Sequence, residues 1–240
     1  MSLVKDKMST LNELGLSLDN RSKSTDPNWL TQLRQTATEK FKSLGFPTKK
    51  WENWRYMDLE PVLNTAFQSV DTDQQTNQSN EPNIPAMHSD DAILIQITDG
   101  VPNLEANASN INGLSILPFS QIDDPAIDID IENEKNPFAV LNASQMTDGL
   151  CISVDENIKV TQPIHIILNH TDSTENQLSH PRIAIKMNKG SAADIVVSIG
   201  QQNGVDFHCE FGDQNKSLTK SAKRKTGKQS KQSSEMVKRE

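Results

Sequence analysis

The sequence predicts an α+β chain, mainly β: a helical region first, then a run of short strands, then a disordered basic tail. Three observations carry this. Trp29, Leu30, Leu33, Ala37, Phe41 and Leu44 recur at three- and four-residue steps, the spacing of one helix face. Apolar runs of five to seven residues then follow at short intervals between 150 and 199, separated by turn residues. After Gly212 this patterning stops and the charge changes sign.

Taken in order, residues 1–67 form an N-terminal helical region. Its first 25 residues are polar, with one weak amphipathic patch at Leu11, Leu14 and Leu16. Asp26-Pro27 reads as an N-cap followed by an N1 proline, and Gly45 with Pro47 stops the helix. Trp51, Trp54, Tyr56 and Leu59 come next, in a chain with only three Trp and one Tyr. They could form a stacking platform for a ligand. A small aromatic core under the helix is the better reading, with Glu52 and Arg55 at its edge, because aromatic burial dominates packing. Residues 68–90 are rich in Gln, Asn, Asp and Pro and read as a linker.

Residues 91–149 form a small β/α region. Ala92–Thr98 reads as a strand ending at Asp99-Gly100, and Leu114–Leu117 as another after the turn dipeptide Asn112-Gly113. The acidic stretch Ile127-Asp128-Ile129-Asp130-Ile131 lacks the glycine and terminal glutamate of a calcium loop and reads as an acidic edge or loop. Asn136 suits an N-cap and Pro137 the first helical position, with Gly149 ending the helix in a left-handed conformation. Residues 150–212 then carry strands at Leu150–Val154, Ile164–Leu168, Ile183–Met187 and Ala193–Ile199, with a further strand and turn over 205–213. The turns between them are Asp155-Glu156-Asn157, Gln162-Pro163 and Asn188-Lys189-Gly190. Such spacing fits a sandwich, a barrel or a solenoid alike.

The net charge of −8 hides an asymmetry. Residues 213–240 hold nine Lys/Arg and three Asp/Glu, a net of +6; the first 212 hold 15 basic and 29 acidic residues, a net of −14. So acidic a body argues against nucleic acid as the main partner, although the tail alone could bind nucleic acid or an acidic surface, which would make the chain a β-solenoid binding or adaptor protein. No apolar run approaches the ~20 residues of a membrane span, and the N-terminus has no secretory h-region. Two cysteines far apart in sequence, Cys151 and Cys209, suggest a reduced, cytoplasmic setting rather than a disulfide framework.

No catalytic, cofactor-binding or metal-binding residue is assigned, and the chain is not expected to be an enzyme. His208 and Cys209 are adjacent, so on a strand they point to opposite faces. Cys151 lies between Leu150 and Ile152 and reads as a small core residue. His165, His170 and His180 have no helical metal spacing, His88 reads as solvated, and Asp90-Asp91 has no third ligand at a telling distance. There is no G-x-S-x-G, P-loop or G-x-G-x-x-G. A carbohydrate-active solenoid would need paired carboxylates ~5–10 Å apart. The strands of 150–200 offer almost no acid but Asp194.

The ordered set Pro47-Thr48-Lys49-Lys50-Trp51-Glu52-Asn53-Trp54-Arg55-Tyr56-Met57-Asp58-Leu59, Asp148-Gly149, Pro163-Ile164 and His180-Pro181-Arg182 resembles the SufB/SufD family, on its SufD side. These are scaffold subunits of the SUF iron–sulfur cluster assembly system. Met57 stands where that family usually has Thr. The resemblance spans residues 27–212 and implies the first coils of a right-handed parallel β-helix over 150–212. It also implies SufB and SufC as partners in a protein complex, and no cofactor bound by this chain alone. An iron–sulfur cluster would be assembled at a shared interface of the complex. The family's cluster-building residues and its SufC-gripping segment lie in a C-terminal half without counterpart here. The resemblance thus implies a truncated, N-terminal portion, with residues 213–240 the product of a shifted frame or an early stop.

Overall fold

The computed structural model describes residues 21–69, 91–104, 111–123, 129–170, 177–199 and 233–237. Helix α1 spans Asn28–Leu44 and ends as the Gly45 N–H donates to the Phe41 carbonyl at 2.7 Å. A 3₁₀ turn at Glu52–Trp54 and the one-turn helix α2 (Glu60–Leu63) follow, then the two-residue strand β1 (Gln68–Ser69). Strands β2 (Ile93–Thr98), β3 (Val101–Asn103) and β4 (Leu114–Pro118) precede helix α3 (Pro137–Gln145). The remaining strands are β5 (Leu150–Val154), β6 (Ile164–Asn169), β7 (Gln177–Leu178), β8 (Ile183–Met187), β9 (Ile195–Ile199) and β10 (Ser233–Val237). No helix among the described residues is long and apolar enough to cross a membrane.

The strands form a five-stranded sheet in the order β10-β9-β6-β2-β3, a three-stranded sheet β4-β5-β8 and the parallel pair β1-β7. Twice the chain gives a strand to the three-stranded sheet, turns a corner, and gives the next strand to the five-stranded one. These two passes, β5–β6 and β8–β9, run parallel with Leu150 beside Ile183, Lys159 beside Ala192 and Ile164 beside Ile195. The offset is therefore 33, 33 and 31 residues. Pairing persists through the corner: the Asn157 N–H donates to the Lys189 carbonyl at 2.9 Å and the Ala192 N–H to the Ile158 carbonyl at 2.9 Å. The Val154 carbonyl accepts from both the Asn188 amide N–H (3.1 Å) and its side-chain Nδ2 (2.9 Å). Equivalent corner positions adopt left-handed backbone, Asn157 with φ 61° and Gly190 with φ 72°. A side chain at 190 would strike the Asn157 amide oxygen at 2.5 Å. Among the described residues the passes do not close into a solenoid, so what the fold establishes is α+β with mixed sheets.

One core fills the space between the two large sheets. Ile93, Ile95 and Ile97 of β2, Ile164, Ile166 and Leu168 of β6, and Ile195 and Val197 of β9 face Leu114 and Ile116 of β4, Leu150, Ile152 and Val154 of β5, and Ile183 of β8. The period of two in β2 and β5 is that of strands with one face inward. The opposite face of the three-stranded sheet is covered by the helices. Leu30 of α1, Phe119, Met146 and Ala184 of β8 form one cluster, against which Cys151 packs. Ala37, Phe41, Ile131, Val140, Leu141 and Ala143 form the seam between α1 and α3.

Several expectations are corrected. Asp26 does not cap α1, whose N-cap is Pro27 and has no side-chain bond. Its carboxylate instead accepts from the Lys23 N–H at 2.7 Å and from Arg34 Nη1 at 2.7 Å. Asn136 does cap α3, accepting from the Phe138 N–H at 3.0 Å, but Gly149 does not end that helix and is not left-handed. Gly149 is required because the Phe119 ring lies on it; a Cβ there would meet the ring at 2.5 Å. Tail residues 233–237, read as disordered and without strand character, pair antiparallel with β9. The expected strand over 205–213 lies outside the described residues. Strand β3 went unread because a proline in a three-residue run gives no pattern.

Arg34 ties the helices together. Only 2% exposed, it donates from Nε to the Met146 carbonyl (2.9 Å) and from Nη2 to the Thr147 carbonyl (2.6 Å), while pairing with Asp26. Those carbonyls lie just past the end of α3, where helix carbonyls lack partners and negative partial charge collects. Arg34→Met leaves Asp26 buried without its cation and should cost about 3–5 kcal/mol in urea unfolding. Adding Asp26→Asn should recover part of that loss. A single variant within about 0.5 kcal/mol of wild type would refute the staple.

Candidate functional site

The chemistry-bearing side chains gather in buried pairs rather than around a common point. At the β2–β3 turn Thr98 pairs with Val101, leaving Asp99 (φ 51°) and Gly100 (φ 84°) as a two-residue loop of the type I′ kind. The Asp99 N–H donates to the Asn169 carbonyl at 3.0 Å, and its buried carboxylate pairs with Nδ1 of His170. His180 approaches the same turn from the other side: a Cβ on Gly100 would come within 3.3 Å of its backbone. Burial, helped by the positive charge of Arg21, lowers the His180 imidazole to about 3, so it is neutral at ordinary pH. His165, 3% exposed on β6, shares a 2.8 Å hydrogen bond with Ser198 Oγ on β9.

Cys151 is half-buried on β5 and burial pushes its thiol up to about 11, the behaviour of a packing residue rather than a thiolate ligand. Asp194 is exposed, and its carbonyl accepts from the Ile164 N–H at 2.8 Å. In the acidic stretch Ile131 is buried, and Asp130 accepts from the Asn133 side chain at 2.7 Å and its N–H at 3.0 Å, which holds its carboxyl below the usual range. Among the described residues no group of three or more His, Cys, Asp or Glu could hold a metal ion. His88, Asp90, His208 and Cys209 lie outside the described residues, and Asp91 is exposed. The Asp99–His170 and His165–Ser198 pairs escaped sequence reasoning, since each partner lies on a strand or turn far away in the chain. The Asp-Gly dipeptide was the only local signal.

The segment carrying the tryptophans is a surface rather than a core. Trp54 packs on Phe138 of α3 with ring centroids 5.1 Å apart, and Phe46 bridges Phe138 and Phe41. Leu63 and Phe67 pack on the α1–α3 seam. Between these anchors Tyr56 stands 91% exposed, Met57 51% and Val62 39%. Tyr56 therefore does not join the aromatic core expected for it: the turn after Trp54 carries it outward. The aromatic core is instead made by the phenylalanines and Trp54, with Trp29 edge-on to Phe119 and bonded through Nε1 to the Ile122 carbonyl at 2.6 Å. Exposed Lys49, Lys50 and Arg55 are balanced by exposed Glu52, Asp58 and Glu60, giving an apolar strip with a rim of mixed charge.

Fold and site together define an α+β protein with paired, buried polar groups and an exposed apolar strip on its N-terminal region. Residues 10–110, which include that strip, match the family model described as the SufBD protein N-terminal region. The match supports the SufB/SufD family and does not separate one from the other. No curated protein matches the chain.

His180 supplies a pH prediction. Its folded-state pKa lies below the ordinary 6.5, so the unfolded chain binds the extra proton first. Its contribution is present above pH ~6.5 and is lost as pH falls toward the folded-state value, by up to about 1.4 kcal/mol per pH unit. Urea unfolding between pH 7 and 4 should show a shallower slope for His180→Asn than for wild type. Equal slopes would mean that His180 is protonated without cost.

Proposed function

We propose that this chain is a SufD-like scaffold component of the SUF machinery for iron–sulfur cluster assembly, acting with SufB and with SufC as the ATP-hydrolysing motor. The observation that carries the proposal is the SufBD N-terminal match over residues 10–110. The two stacked passes with a 31–33-residue offset support it, since they are what the opening coils of a right-handed parallel β-helix would look like. On this reading the protein works in the cytoplasm, performs no chemistry of its own and meets the nascent cluster as cargo at an interface shared with its partners. The buried Asp99–His170 and His165–Ser198 pairs then stiffen the framework, and the exposed strip around Tyr56 offers contact area on the N-terminal region.

The test is co-expression of the tagged chain with SufB and SufC. The expected result is recovery of all three in fixed proportion after a high-salt wash. Recovery of SufB and SufC without this chain would overturn the proposal. So would retention of the chain on nucleic acid with a steep salt dependence, which would favour a basic-tail adaptor instead.

A further inference from the structure

The helices stop short of one row of side chains on the three-stranded sheet. Leu117 of β4, Cys151 of β5 and Ala184 of β8 lie side by side, and Cys151 and Ala184 pack with Leu30 and Met146. Two residues along each strand the same face returns, and there Ser115 stands opposite Ser153 and Ser153 opposite Lys186. Ser115 is exposed, and Ser153 and Lys186 are half-buried. Neighbouring strands lie about 4.8 Å apart, so two hydroxyls and an ammonium share a base about 10 Å long.

No ion pair or side-chain hydrogen bond among the described residues engages any of these three side chains. An unpaired, half-buried ammonium is out of keeping with a chain whose first 212 residues carry a net charge of −14. Burial raises the Cys151 thiol and the Lys186 ammonium opposes that rise, so the cation leans over β5 rather than off the sheet edge. Asp155, two positions beyond Ser153, is exposed at the corner and does not pair with Lys186. The row therefore holds donors without acceptors, with the positive charge at one end.

We infer that Ser115, Ser153 and Lys186 form a binding site for a tetrahedral oxyanion, a phosphate that is either free or the end of an ester. Lys186 supplies the charge, and each serine supplies one O–H donor from a different strand. A carboxylate has only two coplanar oxygens to offer such a set. A phosphate has oxygens in several directions, so it can accept from all three donors while an ester bond points away from the sheet. Hydrogen bonds to an ionised acceptor are the strong ones, which suits a shallow site on an open sheet face. This assignment is independent of the SUF reading, because it rests on β4, β5 and β8 alone.

The test follows the amide NMR spectrum of the full chain at constant ionic strength as inorganic phosphate, glycerol phosphate or acetate is added. Either phosphate should give saturable shifts at Ser115, Ser153 and Lys186, and the tighter of the two identifies the form the site takes. Acetate should bind more weakly than both. Lys186→Gln and Ser153→Ala should each weaken phosphate about tenfold or more, because each removes a hydrogen bond to a charged group. Unchanged shifts at Ile95 and Ile166 show that the core of each variant is intact. Lys189 is exposed and outside the row, so Lys189→Gln should change the affinity by less than about twofold, while Asp155→Asn should tighten it. The site is overturned if neither phosphate gives saturable shifts in the row, or if acetate matches them. A loss in Lys189→Gln equal to that in Lys186→Gln would overturn it as well, since the effect would then be general surface charge.

Discussion

The fold depends on the register between two passes of chain, 150–169 and 183–199. Hydrogen bonds run from the Leu150 N–H to the Arg182 carbonyl (2.8 Å), through the corner, to the last pairs of β6 and β9. A slip of one residue would turn Ile152, Val154, Ile164 and Ile166 out of the core and bring Cys151, Ser153, His165 and Ile167 in. Slippage is resisted at the corner. Asn157 and Gly190 share left-handed backbone, and Asn188 donates twice to one carbonyl, so only one alignment superposes the turns.

The helices are secured to that register rather than the reverse. Leu30, Phe119 and Met146 pack on Ala184 of β8, and the close fit of Phe119 on Gly149 brings the end of β4 against the start of β5. Asn142 Nδ2 donates to the Pro181 carbonyl at 2.9 Å, and Arg182 donates to Asn142 Oδ1 at 3.2 Å, which links α3 to the entry of β8. Arg34 then fixes α1 to the end of α3. The exposed segment from Trp51 to Val62 hangs from this assembly by Trp54 and Leu63, so its apolar residues are held outward on a firm support.

How much of this was legible in the sequence follows the range of the forces involved. Strands β2, β4, β5, β6, β8 and β9 could be read because their short apolar runs and the turn residues between them are local signals. The helix over 28–44 could be read from its apolar period. The seat of Asp26 could not, because a good capping residue was recruited by an arginine eight positions away that is buried against α3. Gly149 looked like a helix stop, but its small size answers to Phe119, thirty residues earlier. Tyr56 was grouped with Trp54 by proximity in sequence, although Trp54, half-buried at the end of a 3₁₀ turn, packs on Phe138 while Tyr56 two residues on stands exposed. At the candidate site Asp99 and His170 lie 71 positions apart, and only the pairing of β2 with β6 brings them together. The family resemblance over the Trp51–Leu59 motif was legible, and the match over 10–110 supports it at the level of SufB/SufD.

The most direct measurement of the central claim is native-state hydrogen exchange on the full chain, following the amides of Ile152, Ile166, Lys186 and Ser198, which the register turns toward the neighbouring pass. These residues sit on β5, β6, β8 and β9. If the two passes form one registered body, their protected amides open together, with a common free energy equal to that of global unfolding. If β5 and β8 open at a clearly lower free energy than β6 and β9, the two sheets are separate units and the register does not hold the fold together.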